Sequence, residues 1–455
     1  MSRVSASGLA KALLAPFFAL LVAAAPPYAP AAEGERVAYR NVVLIDGGRS
    51  RPGMAVLTNG PTIEAVVTDS SLTAAQLGTA RVVDLGGRFM LPGLIDSHQH
   101  LATPPDRRGA LTQMHRDLFS GITAVRIMAD DLRAIAELAR ESLVGEVAGP
   151  DLHFAALVAG RSFFDDPRTR AISAGYTPGE TPWAQAITAE TDLALAVARA
   201  RGTGASALKI YANLSPDLIR RLTQEAHRQG MPVWAHGMVF PTPPAAVIAA
   251  GPDAISHICY LAYQLSTPPP ASYQQRFPVN EAALAGRDNP VMAGLFREMR
   301  RRGIILDATL RVYREAERRA ASPGGQPTHC SLDLAARLTD QARRAGVRIA
   351  AGTDGTTPRE SVYPALFDEI ELLVTRAGFS TAEALVASTE TGAATIGQSA
   401  QMGRIQSGYL ANLLVLEADP LADIRNLRRI AFAVKRGRRF DRSDYVLAIN
   451  EMPVR

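Results

Sequence analysis

The sequence predicts an α/β protein, a (β/α)8 barrel of the TIM type with a small β-sandwich domain formed from both chain ends. Two observations predict the barrel. From residue 90 onward short apolar segments alternate with amphipathic helical segments, and eight apolar segments follow one another within about 300 residues. No Gly-x-Gly-x-x-Gly turn follows any of them, which argues against the alternative, an open doubly wound sheet.

The eight predicted barrel strands are short and apolar, and turn or helical segments bound them. They span residues 90–97, 122–128, 152–158, 207–211, 232–235, 254–258, 304–310 and 347–351. Helical patterns follow most strands, for example at 215–229, where Ser215 is suited to cap the helix and Pro216 to begin it. We expect the barrel to occupy residues 86–400.

A third observation predicts the second domain. Between residues 36 and 85 the chain has the pattern of short strands separated by turn residues, and strand-like segments resume at 412–416 and 430–434. We therefore predict that 36–85 and 401–455 form the β-sandwich domain together.

Residues 1–31 have the pattern of a secretory signal peptide. Arg3 and Lys11 precede an apolar run at 12–25, and Ala29-Pro30-Ala31 is suited to cleavage. The run is too short to span a bilayer, and neither a twin arginine nor a nearby cysteine accompanies it. We expect a periplasmic or secreted protein with no membrane span after cleavage; the alternative is a retained N-terminal anchor.

Composition narrows the classes of partner. The chain has 455 residues, 47% hydrophobic and 20% charged, which excludes a disordered protein. The formal charge is +5, but the longest basic run, 435–439, is short and is predicted to lie on a solvated terminal strand. We expect a small-molecule substrate and no nucleic acid, and the sequence leaves a homo-oligomer open.

Lysine is scarce in this chain. The 49 basic residues include only Lys11, Lys209 and Lys435, so 46 are arginines. A lysine inside the apolar strand 207–211 therefore suggests a function that guanidinium cannot perform, such as adding carbon dioxide to form a carbamate that bridges two metals. The alternative is a buried ion pair with a carboxylate such as Asp96.

Metal-ligating side chains end several predicted strands. His98 and His100 lie two residues apart, so both project to one face of their strand, and converging imidazoles can chelate a divalent metal. Further candidates lie at other strand ends, namely Lys209, His236, His257 and Asp354. Each alone has an ordinary structural explanation, but their shared placement predicts a metal site at the C-terminal mouth of the barrel.

These segments resemble the metal-dependent amidohydrolase superfamily, and within it the imidazolonepropionase-like and prolidase-like exported hydrolases. The opening motif of that family matches residues 91–100. Its metal-ligand strand ends match 208–211, 234–236, 256–257 and 352–354, and its last helix and return to the β domain match 381–385 and 408–416. The resemblance implies one or two divalent metals, which we expect to be zinc, with ligands at His98, His100, Lys209, His236, His257 and Asp354.

The resemblance also implies a mechanism. His98, His100 and Asp354 would hold one metal, His236 and His257 the other, with carboxylated Lys209 between them. A water shared by the metals would lose its proton near neutral pH. Asp354 would take that proton as a general base and return it to the leaving amine as an acid.

Three residues are candidates for substrate binding. Arg161 follows the third predicted strand and could bind a substrate carboxylate, or form an ordinary loop ion pair. Tyr211 and Tyr260 flank metal-ligand strand ends and could donate to the substrate, or simply pack. Cys259 and Cys330 leave two alternatives open, a disulfide that holds loop seven (residues 311–332) over the site or two free thiols.

We therefore expect hydrolysis of a C–N bond, in a dipeptide or an N-acyl amino acid. A lactonase or phosphotriesterase would use the same metal site and is the main alternative. A non-catalytic binding protein on the same barrel is the third, although all six ligand positions are filled.

Overall fold

The computed structural model describes residues 25–355 and 357–447 of the chain. Most of the predicted signal peptide, residues 1–24, lies outside the described residues, as do residues 448–455 of the predicted β domain. No helix within the described ranges is both long and apolar enough to cross a membrane.

The strands belong to two sheets. In chain order they are β1 (Arg36–Asp46), β2 (Arg49–Asn59), β3 (Thr62–Thr68), β4 (Arg81–Asp84), β5 (Phe89–Pro92), β6 (Leu94–Gln99), β7 (Ile122–Met128), β8 (Asp151–Gly160), β9 (Glu180–Thr181), β10 (Ala184–Ile187), β11 (Ala207–Ile210), β12 (Val233–His236), β13 (Ala254–Ser256), β14 (Ile305–Asp307), β15 (Ile349–Ala350), β16 (Leu413–Leu416), β17 (Ile430–Lys435) and β18 (Arg438–Asp441).

Most of the helices connect consecutive barrel strands or follow the last one. In chain order they are α1 (Ala74–Leu77), α2 (Arg107–Phe119), α3 (Leu132–Val144), α4 (Pro167–Ile172), α5 (Leu193–Gly202), α6 (Pro216–Arg228), α7 (Pro244–Ala250), α8 (Pro290–Arg302), α9 (Leu310–Ala320), α10 (Leu332–Arg344), α11 (Leu366–Arg376), α12 (Thr381–Ala387) and α13 (Glu390–Thr395). Ser215 caps α6 as predicted, since its side chain accepts from the backbone N–H of Leu218.

The predicted barrel is confirmed. Strands β6, β7, β8 and β11 to β15 pair in parallel with their neighbours in chain order. The ends of β15 and β6 meet where the Ser97 N–H donates to the Ala351 carbonyl at 2.9 Å, so the barrel is nearly closed. The short strands β9 and β10 extend the sheet beside the end of β8.

The predicted first barrel strand, 90–97, divides into two strands. Its first residues belong to β5, which pairs with β1 and β16 in the smaller sheet, and the barrel strand β6 begins at Leu94. Between them a Cβ at Gly93 would collide with the side chain of Thr123. Glycine is therefore needed where the chain passes from one sheet to the other.

The smaller sheet is built from both chain ends, as predicted. It is a mixed sheet in the order β18-β17-β16-β5-β1-β2-β3, with β4 paired in parallel to β1. Its core is a separate cluster of buried apolar side chains, among them Val37, Tyr39, Val56, Leu413 and Phe432. β1 is buried at most of its positions because both faces of the sheet are covered: Ala38, Ala55 and Leu57 form a second apolar cluster.

The prediction for the basic run 435–439 is wrong at its first residue. Lys435 is 5% exposed, and its Nζ lies 3.0 Å from the Asp151 carboxylate at the start of β8. It also donates to the carbonyl oxygens of Ser142 and Gly149. A buried ammonium needs a charged partner and full hydrogen bonding, and Lys435 finds both on the barrel. The first residue of the run therefore joins the smaller sheet to the barrel.

Candidate active site

The six predicted ligand residues line one cavity at the C-terminal mouth of the barrel. Its volume is about 550 Å³, a size typical of small-molecule sites. The lining includes His98, His100, Lys209, His236, His257 and Asp354 together with the predicted substrate residues Tyr211 and Tyr260.

Strand alternation explains why these side chains reach the cavity. A cluster inside the barrel takes one buried residue from each of seven strands, among them Ala207, Trp234 and Ile305. Lys209 lies two residues after Ala207, and His236 two after Trp234, so each shares the inward face. The sequence spacing thus places the polar residues one layer above the apolar cluster.

Asp354 lies among three imidazoles. Its Oδ1 is 3.4 Å from Nε2 of His98 and 3.3 Å from Nε2 of His100, and its Oδ2 is 3.7 Å from Nδ1 of His257. His98, His257 and Asp354 each offer a ligand atom within 4.8 Å of the others, which is a candidate His/His/Asp metal site.

Lys209 and His236 complete the site as buried polar groups without partners. Among the described residues, neither Nζ of Lys209 nor Nδ1 of His236 has a hydrogen-bond partner. The predicted alternative, an ion pair of Lys209 with Asp96, is wrong, because the Asp96 carboxylate accepts instead from Gln99, Thr353 and the His98 N–H. Burying a nitrogen atom without a hydrogen-bond partner costs free energy. The part of the cavity wall that carries Lys209 and His236 therefore suits a bound group that interacts with these two atoms.

The pKa values of most ligand residues suit metal binding. His100 is the exception, because the lowering effect of burial is outweighed by its hydrogen bonds to Asp130 and Asp354, which raise its pKa to about 10. Burial, followed by the charge of Arg126, lowers the pKa of Lys209 to about 7. Burial lowers the pKa of His98 and His236, and it lowers that of His257 to about 3. Neutral imidazoles and a readily deprotonated amine are the forms that bind metals or carbon dioxide.

Two carboxylates behind the histidines were not predicted. Asp307, at the end of β14, has Oδ2 2.6 Å from Nδ1 of His98, and it accepts from Arg126 at 3.0 Å. Asp130, just after β7, lies 3.0 Å from Nδ1 of His100. These carboxylates hold each ring with Nε2 toward Asp354. The sequence gives little signal for them, since Asp307 lies inside the predicted strand 304–310 and Asp130 lies two residues after the predicted strand 122–128.

The backbone at the strand ends is in the left-handed region. His257 has φ +72°, Thr309 has φ +54° and Asp354 has φ +40°, values that cost energy for residues with a Cβ and cluster at functional sites. A Cβ at Gly352 would collide with the Asp307 carboxylate. The Gly-Thr-Asp segment therefore needs its glycine so that Asp354 and Asp307 can approach the same histidine.

The three predicted substrate residues are placed differently. Arg161 is not among the cavity-lining residues; it is 58% exposed and lies 3.6 Å from Glu180, as in the ion-pair alternative. Tyr211 and Tyr260 both line the cavity. The Tyr211 hydroxyl accepts from Arg168 at 3.3 Å, and Arg168 and Arg276 line the cavity.

The two cysteines form a disulfide between loops that border the cavity. Cys259 follows β13, and Cys330 precedes α10 and lines the cavity. The Cys259 N–H also donates to the hydroxyl of the cavity residue Tyr313 at 3.2 Å. Of the two alternatives that the sequence left open, the bridge is the one present, and it ties loop seven to the strand end that carries His257.

Known proteins share this architecture. The chain superposes with a TM-score of 0.70 on an Xaa-Pro dipeptidase (19% identity, 90% of this chain and 100% of that one). It superposes with 0.68 on the Aspergillus niger ochratoxinase (20%, 90% and 96%) and with 0.69 on molinate hydrolase (17%, 93% and 99%). Identities at this level establish the fold alone.

Sequence comparison identifies the family. The curated Aspergillus niger ochratoxinase is 25% identical over 224 residues, which cover 47% of this chain and 38% of the ochratoxinase, so the match spans well under two thirds of that relative. The family model described as "Amidohydrolase family" matches residues 89–439, more than half of the chain. The protein therefore belongs to the amidohydrolase family, a family of hydrolases that act on C–N bonds.

Proposed function

We propose that the protein hydrolyses the amide bond of a dipeptide or an N-acyl amino acid. One observation carries the proposal: functional side chains from the ends of five barrel strands converge on one cavity of about 550 Å³. Lys209 Nζ and His236 Nδ1 are buried there with no hydrogen-bond partner in the described part of the chain. The prolidase-like fold and the relationship to ochratoxinase support an amide substrate.

The donor set fits two divalent metals, which we propose to be zinc. His98, His100 and Asp354 would hold one and His236 and His257 the other, with Lys209 as an N-carboxylated bridge. A metal held there supplies Lewis acidity, which polarises a carbonyl and acidifies water. Imidazole and carboxylate donors are those that zinc prefers.

Asp354 is positioned to move the proton in this proposal. Its carboxylate is 24% exposed and faces the cavity. As a general base it takes the proton of the attacking water, and as a general acid it returns the proton to the leaving amine, which a neutral leaving group requires. The Tyr211 and Tyr260 hydroxyls, which also line the cavity, can donate to the substrate.

Substitution of Asp354 tests this role. Asp354→Asn should lower kcat by at least about a thousandfold, because it removes the proton carrier, while metal analysis still finds metal. Asp165→Asn, at an exposed aspartate not among the cavity-lining residues, is the matched control and should keep full activity. Full activity in Asp354→Asn would refute the assignment.

The bridging role of Lys209 has its own test. Lys209→Ala should lose bound metal and activity, and a short carboxylic acid such as propionate should restore part of both by replacing the carbamate oxygens. Lys209→Arg should lose both without rescue, since guanidinium does not carboxylate. Full metal content in Lys209→Ala without added acid would contradict a bridging carbamate.

A substrate screen separates amides from the alternative substrates. Dipeptides and N-acyl amino acids should be hydrolysed faster than lactones and phosphotriesters at equal zinc loading. Turnover of lactones or phosphotriesters without amide turnover would reject the proposal. A protein that holds less than one equivalent of metal under these conditions and turns over nothing would instead be a binding protein.

We also propose that the protein is exported to the periplasm or secreted. The Cys259–Cys330 disulfide supports this, because disulfides persist in oxidising compartments. N-terminal sequencing of the exported protein should begin near residue 32, and a protein that still begins at Met1 would count against cleavage.

A further inference from the structure

We infer that Arg276 binds a free carboxylate on the substrate. The inference rests on the proposed amide hydrolysis and assigns the residue that binds the terminal carboxylate which dipeptides and N-acyl amino acids share. Such an enzyme would release a free amino acid from the end of a substrate, and it would discriminate against the same compounds with that carboxylate removed.

The charge of the cavity wall points to an anionic substrate. Among its described lining residues are three arginines, Arg168, Arg276 and Arg319, whereas Asp354 is the one carboxylate. Asp354 lies among the histidines of the candidate metal site. Asp354 is therefore engaged with these histidines, and the three arginines give the cavity wall an excess of positive charge.

Arg168 and Arg319 are less suited than Arg276 to bind the substrate carboxylate. The Asp166 carboxylate accepts from Nε of Arg168 at 3.0 Å and from Nη2 at 2.8 Å, which neutralises that guanidinium. Arg168 also donates to the hydroxyls of Tyr211 and Tyr273. Arg319 lies exposed on α9, where water screens an ion pair.

Arg276 has a free charge and a fixed orientation. Within the described part of the chain, no carboxylate lies within 4 Å of it. Its Cζ lies 3.9 Å from the centre of the Tyr273 ring, and its Nη1 donates to the Tyr273 carbonyl at 2.6 Å. A guanidinium stacked in this way keeps its other N–H groups available and loses little freedom when a carboxylate binds in its fork.

The rest of the lining indicates the side chain of the bound amino acid. Phe163, Tyr211, Tyr260, Tyr273 and Tyr313 surround the cavity, and aromatic walls favour a large apolar or aromatic group. L-Phenylalanine, which carries both an aromatic ring and a carboxylate, is therefore a suitable probe.

The test measures binding rather than turnover. The zinc-supplemented protein is titrated calorimetrically with L-phenylalanine and with L-phenylalaninol, which has the same ring and amine but no carboxylate. Wild-type protein should bind L-phenylalanine more tightly. Arg276→Gln should raise the Kd for L-phenylalanine about 10- to 100-fold, as expected for a lost charge-assisted pair, and leave the Kd for L-phenylalaninol unchanged.

Two further variants complete the experiment. Arg276→Lys keeps the charge without the fork and should give an intermediate Kd. Arg287→Gln removes the same charge from an exposed arginine of the same loop and should change neither Kd. All variants are compared with wild type by thermal unfolding, so that misfolding is recognised.

The possible results separate this inference from the proposed function. Equal Kd values for the two probes in wild type, or equal effects of Arg276→Gln on both, would overturn the inference even if amides are hydrolysed. Binding of L-phenylalanine that depends on Arg276, in a protein that hydrolyses no amide, would support the carboxylate site and reject the proposed function.

Discussion

At the residue scale, a layer of hydrogen-bonding groups behind the candidate metal ligands sets their orientation. Asp307 and Asp130 hold His98 and His100, and the Thr309 hydroxyl lies 3.0 Å from Nδ1 of His257. Asp307 also contacts the guanidinium of Arg126, which is fully buried. The same carboxylate therefore orients a ligand and neutralises a cation inside the barrel.

Replacing Asp307 should affect both roles. Asp307→Asn should weaken zinc binding about 10- to 100-fold, since a lost carboxylate partner disorders the histidine ligand. It should also lower the free energy of unfolding by about 3 kcal/mol, because Arg126 stays buried without its counter-charge. Competitive metal titration and urea unfolding measure the two effects.

The control for Asp307 is a second His–Asp pair on the surface. Asp253 lies 2.9 Å from Nε2 of His227, and both are largely exposed. Asp253→Asn should leave zinc affinity unchanged and shift the free energy of unfolding by less than about 0.5 kcal/mol. Equal effects of the two substitutions would contradict an orienting role for Asp307.

A buried acid below the site should make stability depend on pH. Burial raises the pKa of Asp117 to about 7, and Gln99 donates both to Asp117 and to Asp96. The folded state therefore holds a proton that the unfolded state releases above about pH 4, so this group lowers stability as pH rises from about 4 to 7. Above pH 7 its contribution is constant.

Asp117→Asn should remove this pH dependence. Between pH 4 and 7 the free energy of unfolding of the variant should rise relative to wild type, by at most about 1.4 kcal/mol per pH unit. Urea unfolding at pH 4.5, 5.5, 6.5 and 7.5 measures it. A difference between the two proteins that is the same at every pH would show that Asp117 is ionised in the folded state.

The residues of the candidate site were predictable to the extent that local pattern determines them. Strand alternation places His98 and Lys209 inside the barrel, and an unusual lysine is visible in the composition. Asp307 and Arg276 were not predicted, since the role of Asp307 depends on a contact between distant segments and that of Arg276 on a cavity that several segments form together. Asp307 and His98, for example, are 209 residues apart in sequence, and the burial of Lys435 also arises from a distant contact.

At the scale of elements, short strands set the rigid frame and two loops shape the cavity. The 3-10 segment Ile258–Leu265 after β13 and the chain before α10 are joined by the Cys259–Cys330 disulfide. The order of the barrel strands and the position of α6 followed from apolar periodicity. The division of 90–97 between two sheets did not, because an apolar strand has the same pattern in either sheet.

Removing the disulfide should loosen this frame. The double variant Cys259→Ala/Cys330→Ala opens a bridge between residues 71 apart in sequence and should lower the free energy of unfolding by about 2–4 kcal/mol. It should also raise KM more than it lowers kcat, because Cys330 lines the cavity and the ligand residues are unchanged. Urea unfolding and steady-state kinetics measure both.

Reduced wild-type protein is the matched comparison for the double variant. With a reductant that does not chelate zinc, it should show the same rise in KM. A double variant with wild-type stability and KM would show that the bridge has no structural role.

At the scale of the whole molecule, a buried ion pair couples the smaller sheet to the barrel. Lys435 and Arg436, at the end of β17, both contact the carboxylate of Asp151, with nitrogen–oxygen distances of 3.0 and 2.9 Å. The Lys435 ammonium also satisfies two carbonyl oxygens of the barrel. The two sheets are thus joined by polar contacts as well as by the chain passing through Gly93.

Lys435→Met should weaken this junction. It leaves the Ser142 and Gly149 carbonyls without their donor, and the free energy of unfolding should fall by about 3 kcal/mol. Arg438→Gln, at an exposed cation of the next strand, should change it by less than about 0.5 kcal/mol. Urea unfolding at pH 7 compares the two, and equal stabilities would show that the junction does not depend on the buried pair.

The measurement that tests the central claim most directly is a zinc titration of metal-free protein with an amide-hydrolysis readout. With N-acetyl-L-phenylalanine as substrate, activity should be absent without metal and rise to a plateau at two equivalents of zinc, and Asp354→Asn should stay inactive throughout. Hydrolysis that does not depend on zinc, or zinc-saturated protein that hydrolyses no dipeptide or N-acyl amino acid, would contradict the account.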